Sequence, residues 1–294
     1  MARGFIEIMA RAWRKKRLFR VGAVLSAIVL LMGVLGPFIA PYPLEGWGIV
    51  TDEALERGVQ PPSLSHPFGT DILGRDMLSR ILVGAYSALL QIFSVIALSL
   101  LIGFIAGVIA GYYRGFVEKI VSYMIDVFLA FPPVLIAMAL ATITGSRGIH
   151  VVVFSLVFAW WAWYARVAYL QTRVVREMDY VLIAERYGVS RAVIMFRHII
   201  PNIMTPVLVQ AITDIGSVLL EATAINFLGL GVPADYPDWG RLVEDGARYI
   251  RSYWWISFFP GLFILLAATG FTLVGDCLRE ELDPRLRRRW RLWF

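Results

Sequence analysis

Six stretches of this sequence stay apolar for about as long as a helix needs to cross a bilayer, roughly 20 residues for ~30 Å of hydrocarbon. They are residues 21–40, 87–111, 120–142, 149–169, 203–228 and 256–276. Hydrocarbon offers no hydrogen bonds, so a chain built this way must satisfy its backbone internally, as helices do. Composition agrees: 59% of the residues are hydrophobic and only 17% charged, against the roughly 25% charged of a soluble domain. The sequence therefore predicts an all-α, polytopic membrane helix bundle of six transmembrane helices. Helices buried in a soluble core are the alternative, and the length of the runs argues against it. The basic start followed by residues 21–40 resembles a secretory signal, but the run exceeds the usual ~7–15-residue signal core, so it is read as a retained first span.

Lys and Arg set the orientation. Residues 1–20, the short connection near residue 115, the connection 170–202 together with Arg166 just before it, and the tail 277–294 hold 21 of the 28 basic residues, and the opposite side holds 7. Positive charge is retained on the cytoplasmic side, so both termini are expected there. The segments 41–86 and 229–255 then lie outside, and residues 87–276 form a permease core of five helices. The net charge of +6 is spread between apolar runs rather than gathered on one folded face, which argues against a nucleic-acid partner; the partner implied for the whole surface is the lipid bilayer.

The cytoplasmic connection carries the most structured signal. Residues 179–188 (DYVLIAERYG) read as a helix ended by Gly188, and residues 189–202 (VSRAVIMFRHIIPN) as a second short helix capped by Ser190 and closed by Pro201. Ala192, Val193, Phe196, Ile199 and Ile200 follow helical spacing, with Arg191 and Arg197 elsewhere on the surface. A membrane-surface helix is the plain reading of this segment.

Here the chain resembles the membrane subunits of binding-protein-dependent ATP-binding-cassette importers, whose cytoplasmic motif E-A-A-x3-G-x9-I-x-L-P forms a coupling helix that docks on an ATPase subunit. Ala184, Gly188 and Pro201 match it, while Leu182, Ile183, His198 and Ile200 depart from it. Residues 66–76 (HPFGTDILGRD), 221–233 (EATAINFLGLGVP), 237–240 (PDWG), 260–261 (PG) and 275–285 (GDCLREELDPR), and Asp126 with Phe131 and Pro132, resemble the C-type subunit of the oligopeptide, dipeptide and nickel branch. The resemblance spans residues 15–288 with its blocks in order. It implies ATPase coupling through Ala184, Gly188, Arg191, Phe196, Arg197 and Pro201. It also implies a homologous B-type permease as heterodimer partner, two ATPase subunits that bind the ATP and Mg, and an extracytoplasmic substrate-binding protein. Di- or oligopeptides are the substrate class implied first, oligosaccharides or nickel second.

The remaining candidates come from the residues. Gln210, Asp214, Ser217 and Glu221 recur at i, i+4, i+7 and i+11 and so share a face of span five. Carboxylates facing lipid are costly, so this face turns inward, toward a translocation path or toward a partner helix. Asp126 belongs to the same candidate path. Pro132 and Pro133 free the carbonyls of Phe128 and Leu129 and predict a kink in span three, a hinge or a static bend. Trp160, Trp163 and Tyr164 share a face of span four, for packing, lipid or substrate. Outside, Asp71, Arg75, Asp76 and Arg80 can pair with one another; with Asp238 and Trp239 they form either a receptor-docking surface or a self-satisfied structural cap.

Absences bound the chemistry. No G-x-x-x-x-G-K-[ST] phosphate loop occurs, and no Gly is followed directly by Lys. His66, His150 and His198 are scattered and Cys277 is the single cysteine, so neither a metal cluster, a bound cofactor nor an enzyme active site is expected. A self-contained secondary transporter would show repeated halves, and none is visible; a structural membrane subunit would have no use for the segment between Gly188 and Pro201.

Overall fold

The computed structural model describes residues 9, 11–14 and 16–282. Of the expected basic clusters, Arg3, Lys15, Arg285, Arg287, Arg288, Arg289 and Arg291 lie outside the described residues. Helices dominate: α1 (Arg17–Ile39), α2 (Pro43–Gly46), α3 (Asp52–Arg57), α4 (Met77–Tyr112), α5 (Phe116–Leu129), α6 (Pro133–Thr144), α7 (Ile149–Arg176), α8 (Asp179–Arg186), α9 (Arg191–Phe227), α10 (Trp239–Ala247) and α11 (Trp255–Leu282). Among the described residues the only β pairing is an isolated bridge between Thr70 and Asp76.

Helix α4 is the central rod. Asp76 caps it by accepting from the Ser79 amide at 2.8 Å, and its 36 residues span about 54 Å at 1.5 Å per residue. It starts ten residues before the expected span at 87, because its first turns stand in a folded cap that residues 41–76 and α10 build around them. Arg80, which would cost roughly 2.5–3.5 kcal/mol at mid-bilayer, lies fully buried in that cap beside Asp71. At the other end Gly103, Gly107 and Gly111 face α7. A Cβ at these positions would strike the Trp161 carbonyl, the Ala165 carbonyl and Thr172 respectively. This is the small-residue contact by which membrane helices approach when lipid offers no hydrophobic drive. Gly36 plays the same part between α1 and the Leu82 backbone of α4.

The third span is broken rather than kinked. Helices α5 and α6 meet at 87°, and Pro132 is extended (φ −57°, ψ 129°). A residue before proline is pushed out of the α region; Phe131 and Pro132 both precede one, so two consecutive restrictions turn the chain. The two ends of the pair are nonetheless fixed at opposite ends of the bundle. Arg176 holds the Tyr112 carbonyl just before α5, while just after α6 the Gly148 amide donates to the Gly231 carbonyl at 2.9 Å, at the cap end. The bent pair therefore counts as one crossing, the third of six.

The start of α1 and the end of α11 lie side by side. Lys16 Nζ sits 2.6 Å from Glu280 Oε2, and Phe19 packs with Cys277 and Leu278. Both described chain ends thus occupy the end of the bundle opposite the cap, next to the Tyr112 end of α4.

Helix α9 corrects one expectation. The segment after Ser190 is not a separate surface helix closed by Pro201. It runs unbroken into span five, through a π-helical stretch over Ile194–Ile199 in which the Ile200 amide donates to the Met195 carbonyl five residues back. A proline ring at position 201 would crowd the carbonyl of Arg197 in an α-helix; the wider π turn shifts that carbonyl aside, so the helix passes through its proline.

Candidate functional site

The candidate residues fall into three sets, at the two ends of the bundle and in its middle. At the end opposite the cap, α8 stops where Gly188 adopts φ +77°, and Ser190 Oγ accepts from the Val193 amide at 3.4 Å to start α9. Val181, Ile194 and Ile199 are buried and pack with Val108, Tyr112, Val175 and Ile203. That core fixes the α8–α9 turn rigidly to α4 and α7. Its outer side is apolar and bare: Tyr187 is 85% exposed and Phe196 69%, with Ile183 and Val193 beside them and Arg191 and Arg197 at the margin. Ala184 and Pro201 are half-buried beneath. Ile199 and Ile200 face the bundle while Ala192, Val193 and Phe196 face away, so the expected single apolar face is divided. Leu182 is exposed, extending the apolar surface where the motif places Glu.

Midway along the bundle, the polar stripe of α9 meets α7. Trp160 Nε1 donates to Glu221 Oε2 at 2.7 Å, Trp163 Nε1 donates to Asp214 Oδ2 at 3.1 Å, and Gln210 Nε2 donates to Asp214 Oδ1 at 2.9 Å. Both carboxylates thus take hydrogen bonds from neutral donors. Ser217 lies between them and is exposed. Asp126 stands apart from this stripe and pairs with Arg166 of α7. One helix, α7, therefore supplies donors to acids on both α5 and α9; Arg166 carried no sequence signal beyond its place near a span end.

At the cap end, expected from the sequence to lie outside, the charged residues are inside the cap. Asp71 Oδ2 accepts from Arg75 Nε and Arg80 Nη1, both at 2.7 Å. Asp76 Oδ1 meets His66 Nδ1 at 2.9 Å, and the Asp76 amide donates to Glu45 Oε2 at 2.7 Å. Trp239 Nε1 donates to the Ile81 carbonyl at 3.0 Å. Asp238 caps α10 by accepting from the Gly240 amide at 2.9 Å, and it accepts from Gln91 Nε2 of α4 at 2.9 Å. Gln91 Oε1 accepts in turn from Asn226 Nδ2 of α9 at 3.0 Å. Burial raises the Asp238 carboxyl above its ordinary value against these donors. None of Asp71, Arg75, Asp76, Asp238 and Trp239 is more than 3% exposed. Of the two readings the sequence left open for these five, their burial favours the self-satisfied structural cap: ion pairs and hydrogen bonds within it occupy them, and little of them is left for a receptor to touch. Glu45, Gln91 and Asn226, which complete the network, are lone polar residues in sequence and become visible only when the elements meet.

Comparisons with known proteins agree with this anatomy. Residues 99–288 match the family described as binding-protein-dependent transport system inner membrane component, and residues 4–62 match the N-terminal TM domain of oligopeptide transport permease C. The chain is 36% identical over 282 residues to a putative peptide transport system permease protein of Brucella suis biovar 1, covering 96% of this chain and 93% of the relative. It is 35% identical over 263 residues to a probable D,D-dipeptide transport system permease protein of Escherichia coli K12, covering 90% and 86%. It is 32% identical over 276 residues to the oligopeptide transport system permease protein of Bacillus subtilis 168, covering 94% and 88%.

Proposed function

Because the chain belongs to the family of binding-protein-dependent transport system inner membrane components, we propose that it forms one half of the membrane pathway of an importer for di- or oligopeptides. It works as a transport subunit in the cell membrane, and separate subunits hydrolyse the ATP. Both termini and the α8–α9 turn face the cytoplasm, the cap faces outside, and a homologous B-type permease completes the pathway. Two ATPase subunits, which bind the ATP and Mg, and an extracytoplasmic substrate-binding protein complete the complex. The peptide assignment rests on the printed names of the relatives.

One observation carries the coupling: Tyr187 and Phe196 stand exposed on a turn whose underside is locked into the bundle. Bare aromatic side chains on a rigid base are what a partner groove takes as anchors. The mechanism follows from the continuity of α9. Phe196, Asp214 and Glu221 ride on one helix, so a push delivered at Phe196 when the ATPases close displaces the polar stripe against α7. The Trp160–Glu221 and Trp163–Asp214 hydrogen bonds are then the contacts that distinguish two packings of the bundle, with Gln210 and Ser217 alongside them on the path. Asp126, tied to Arg166, keeps α5 with α7 during that shift.

Replacing both Tyr187 and Phe196 by Ala tests the reading. The doubly substituted permease should remain assembled with its partner permease, yet lose the ATPase subunits during affinity purification and lose peptide uptake. Full retention of both would remove the coupling assignment.

A further inference from the structure

The buried cap leaves open where its external face meets a partner, and the structure contains a second external feature. Between residues 41–76 and α10 lies a cleft of about 330 Å³. Its floor is ionic and largely self-paired. Arg241 bridges Glu244 at 3.0 Å and Asp245 at 3.1 Å, and Arg80 and Arg75 share Asp71. Its lining is also apolar and accessible, with Ile72 and Leu73 from the first side and Tyr249 from the second each about two-fifths exposed.

Two charges on this cleft differ from the floor. The backbone of Asp235 is pinned: Arg80 Nη2 donates to its carbonyl at 3.5 Å, and Gly48 approaches that carbonyl so closely that a Cβ at position 48 would overlap it. Its side chain is exposed and makes no hydrogen bond or ion pair among the described residues. At the far end of α10, Arg248 has a side chain 76% exposed, held by a single contact to Glu244 at 2.9 Å. A fixed backbone that presents an unpaired carboxylate before α10, and a guanidinium with most of its donors free at the end of it, make the cleft a dipolar socket lined with apolar side chains.

We propose that this cleft is the docking socket for the substrate-binding protein. It takes a surface loop that presents a basic side chain to Asp235, an acidic one to Arg248, and an apolar side chain to Ile72, Leu73 and Tyr249. The assignment rests on the importer reading and moves the docking surface from the buried core of the cap to its outer cleft. The occupant is a protein rather than a small solute because the two free charges flank the ends of a 9-residue helix, about 14 Å of helical rise, with exposed apolar side chains lining the same cleft, as at the rim of a steered protein interface.

The test uses the whole complex, with partner permease and ATPase subunits, in phospholipid nanodiscs. ATP hydrolysis is read while the peptide-loaded substrate-binding protein is titrated. Asp235→Lys and Arg248→Glu should each raise the half-stimulating concentration by roughly tenfold, as a like-charge contact replaces a pairing one. Asp235→Asn should raise it less and flatten its dependence on salt. Hydrolysis without the binding protein should be unchanged in all three, which separates docking from assembly. If stimulation persists with the half-stimulating concentration of all three variants at the wild-type value, the socket is elsewhere and the importer reading stands. A wild-type complex that hydrolyses ATP without responding to any concentration of the binding protein overturns both.

Discussion

Asp238 shows how much of this molecule turns on the direction of single hydrogen bonds. Its carboxylate only accepts, so Gln91 must present its NH₂ to Asp238 and its oxygen to Asn226, and Asn226 must keep its own oxygen for the Val232 amide at 3.1 Å. Asp238→Asn preserves a good helix cap but sets an NH₂ against that of Gln91. Turning Gln91 moves the conflict to Asn226, and turning Asn226 orphans the Val232 amide. Gln91 Nε2 keeps Ser87 Oγ at 3.0 Å and the Ser87 carbonyl at 3.3 Å as acceptors, but the charge-assisted bond to position 238 is lost and two NH₂ groups face each other, at a cost of about 1–3 kcal/mol, so the variant should melt at a lower temperature than wild type near neutral pH. The pH dependence has a definite sign. Burial raises the Asp238 carboxyl above its ordinary 3.8, and Asp245 of α10 is raised for the same reason. The folded cap thus binds these protons more tightly than the unfolded chain, and their contribution to stability is present at low pH and is lost as pH rises through the folded values. Thermal melts of the purified protein over a pH series should show wild type losing stability with rising pH in that interval, with a shallower slope in Asp238→Asn. An equal slope would mean that Asp238 does not titrate in the fold.

At the scale of elements, close approach does more than burial of large side chains. The face of α4 that meets α7 carries Gly103, Gly107 and Gly111, and at each of them a Cβ would overlap α7. Gly107→Leu should force the two helices apart; its added side chain meets the Ala165 carbonyl, Ala168 and Tyr169, and overpacking of this kind costs about 1–3 kcal/mol or more. The expected result is a lower melting temperature and a smaller monodisperse fraction on gel filtration in detergent, whereas Leu101→Ala on the exposed side of the same helix should change little. The i, i+4, i+8 spacing of these glycines is a sequence signal for close helix packing that was not read in advance, because which helix they face appears only in the fold. The span positions were legible, because apolar length is a local property. The true start of α4 was not, since Asp76 and Arg80 look like loop residues until Glu45, His66 and Asp71 are brought around them from distant positions. Nor was the passage of α9 through Pro201, because a proline reads as a stop unless a π turn precedes it. The α8–α9 turn was legible in outline from Gly188, Ser190 and Pro201, but which side of it remains bare depends on where Val108, Tyr112 and Val175 sit.

On the scale of the whole molecule, function depends on which structures share an end. The cap, the Gly148–Gly231 contact and the start of α4 lie at one end; the α8–α9 turn, Tyr112 and the Lys16–Glu280 pair lie at the other. That arrangement requires α5 and α6 to cross the bilayer together despite their 87° bend. A pair that dipped in and returned would leave residues 119 and 146 on the same side and would send the later helices across in the opposite sense. Single cysteines in a Cys277→Ala background separate the two, because positions 64, 119, 146 and 187 are all exposed. With a membrane-impermeant maleimide on intact cells, Leu64→Cys and Ser146→Cys should label at once, and Lys119→Cys and Tyr187→Cys only after the membrane is opened. Labelling of positions 119 and 146 from the same side would make the bent pair a re-entrant loop. Reversal of all four would keep six crossings and invert the molecule, placing the bare aromatic turn outside, against the orientation expected from the excess of Lys and Arg at that end, and would overturn the coupling proposed for Tyr187 and Phe196.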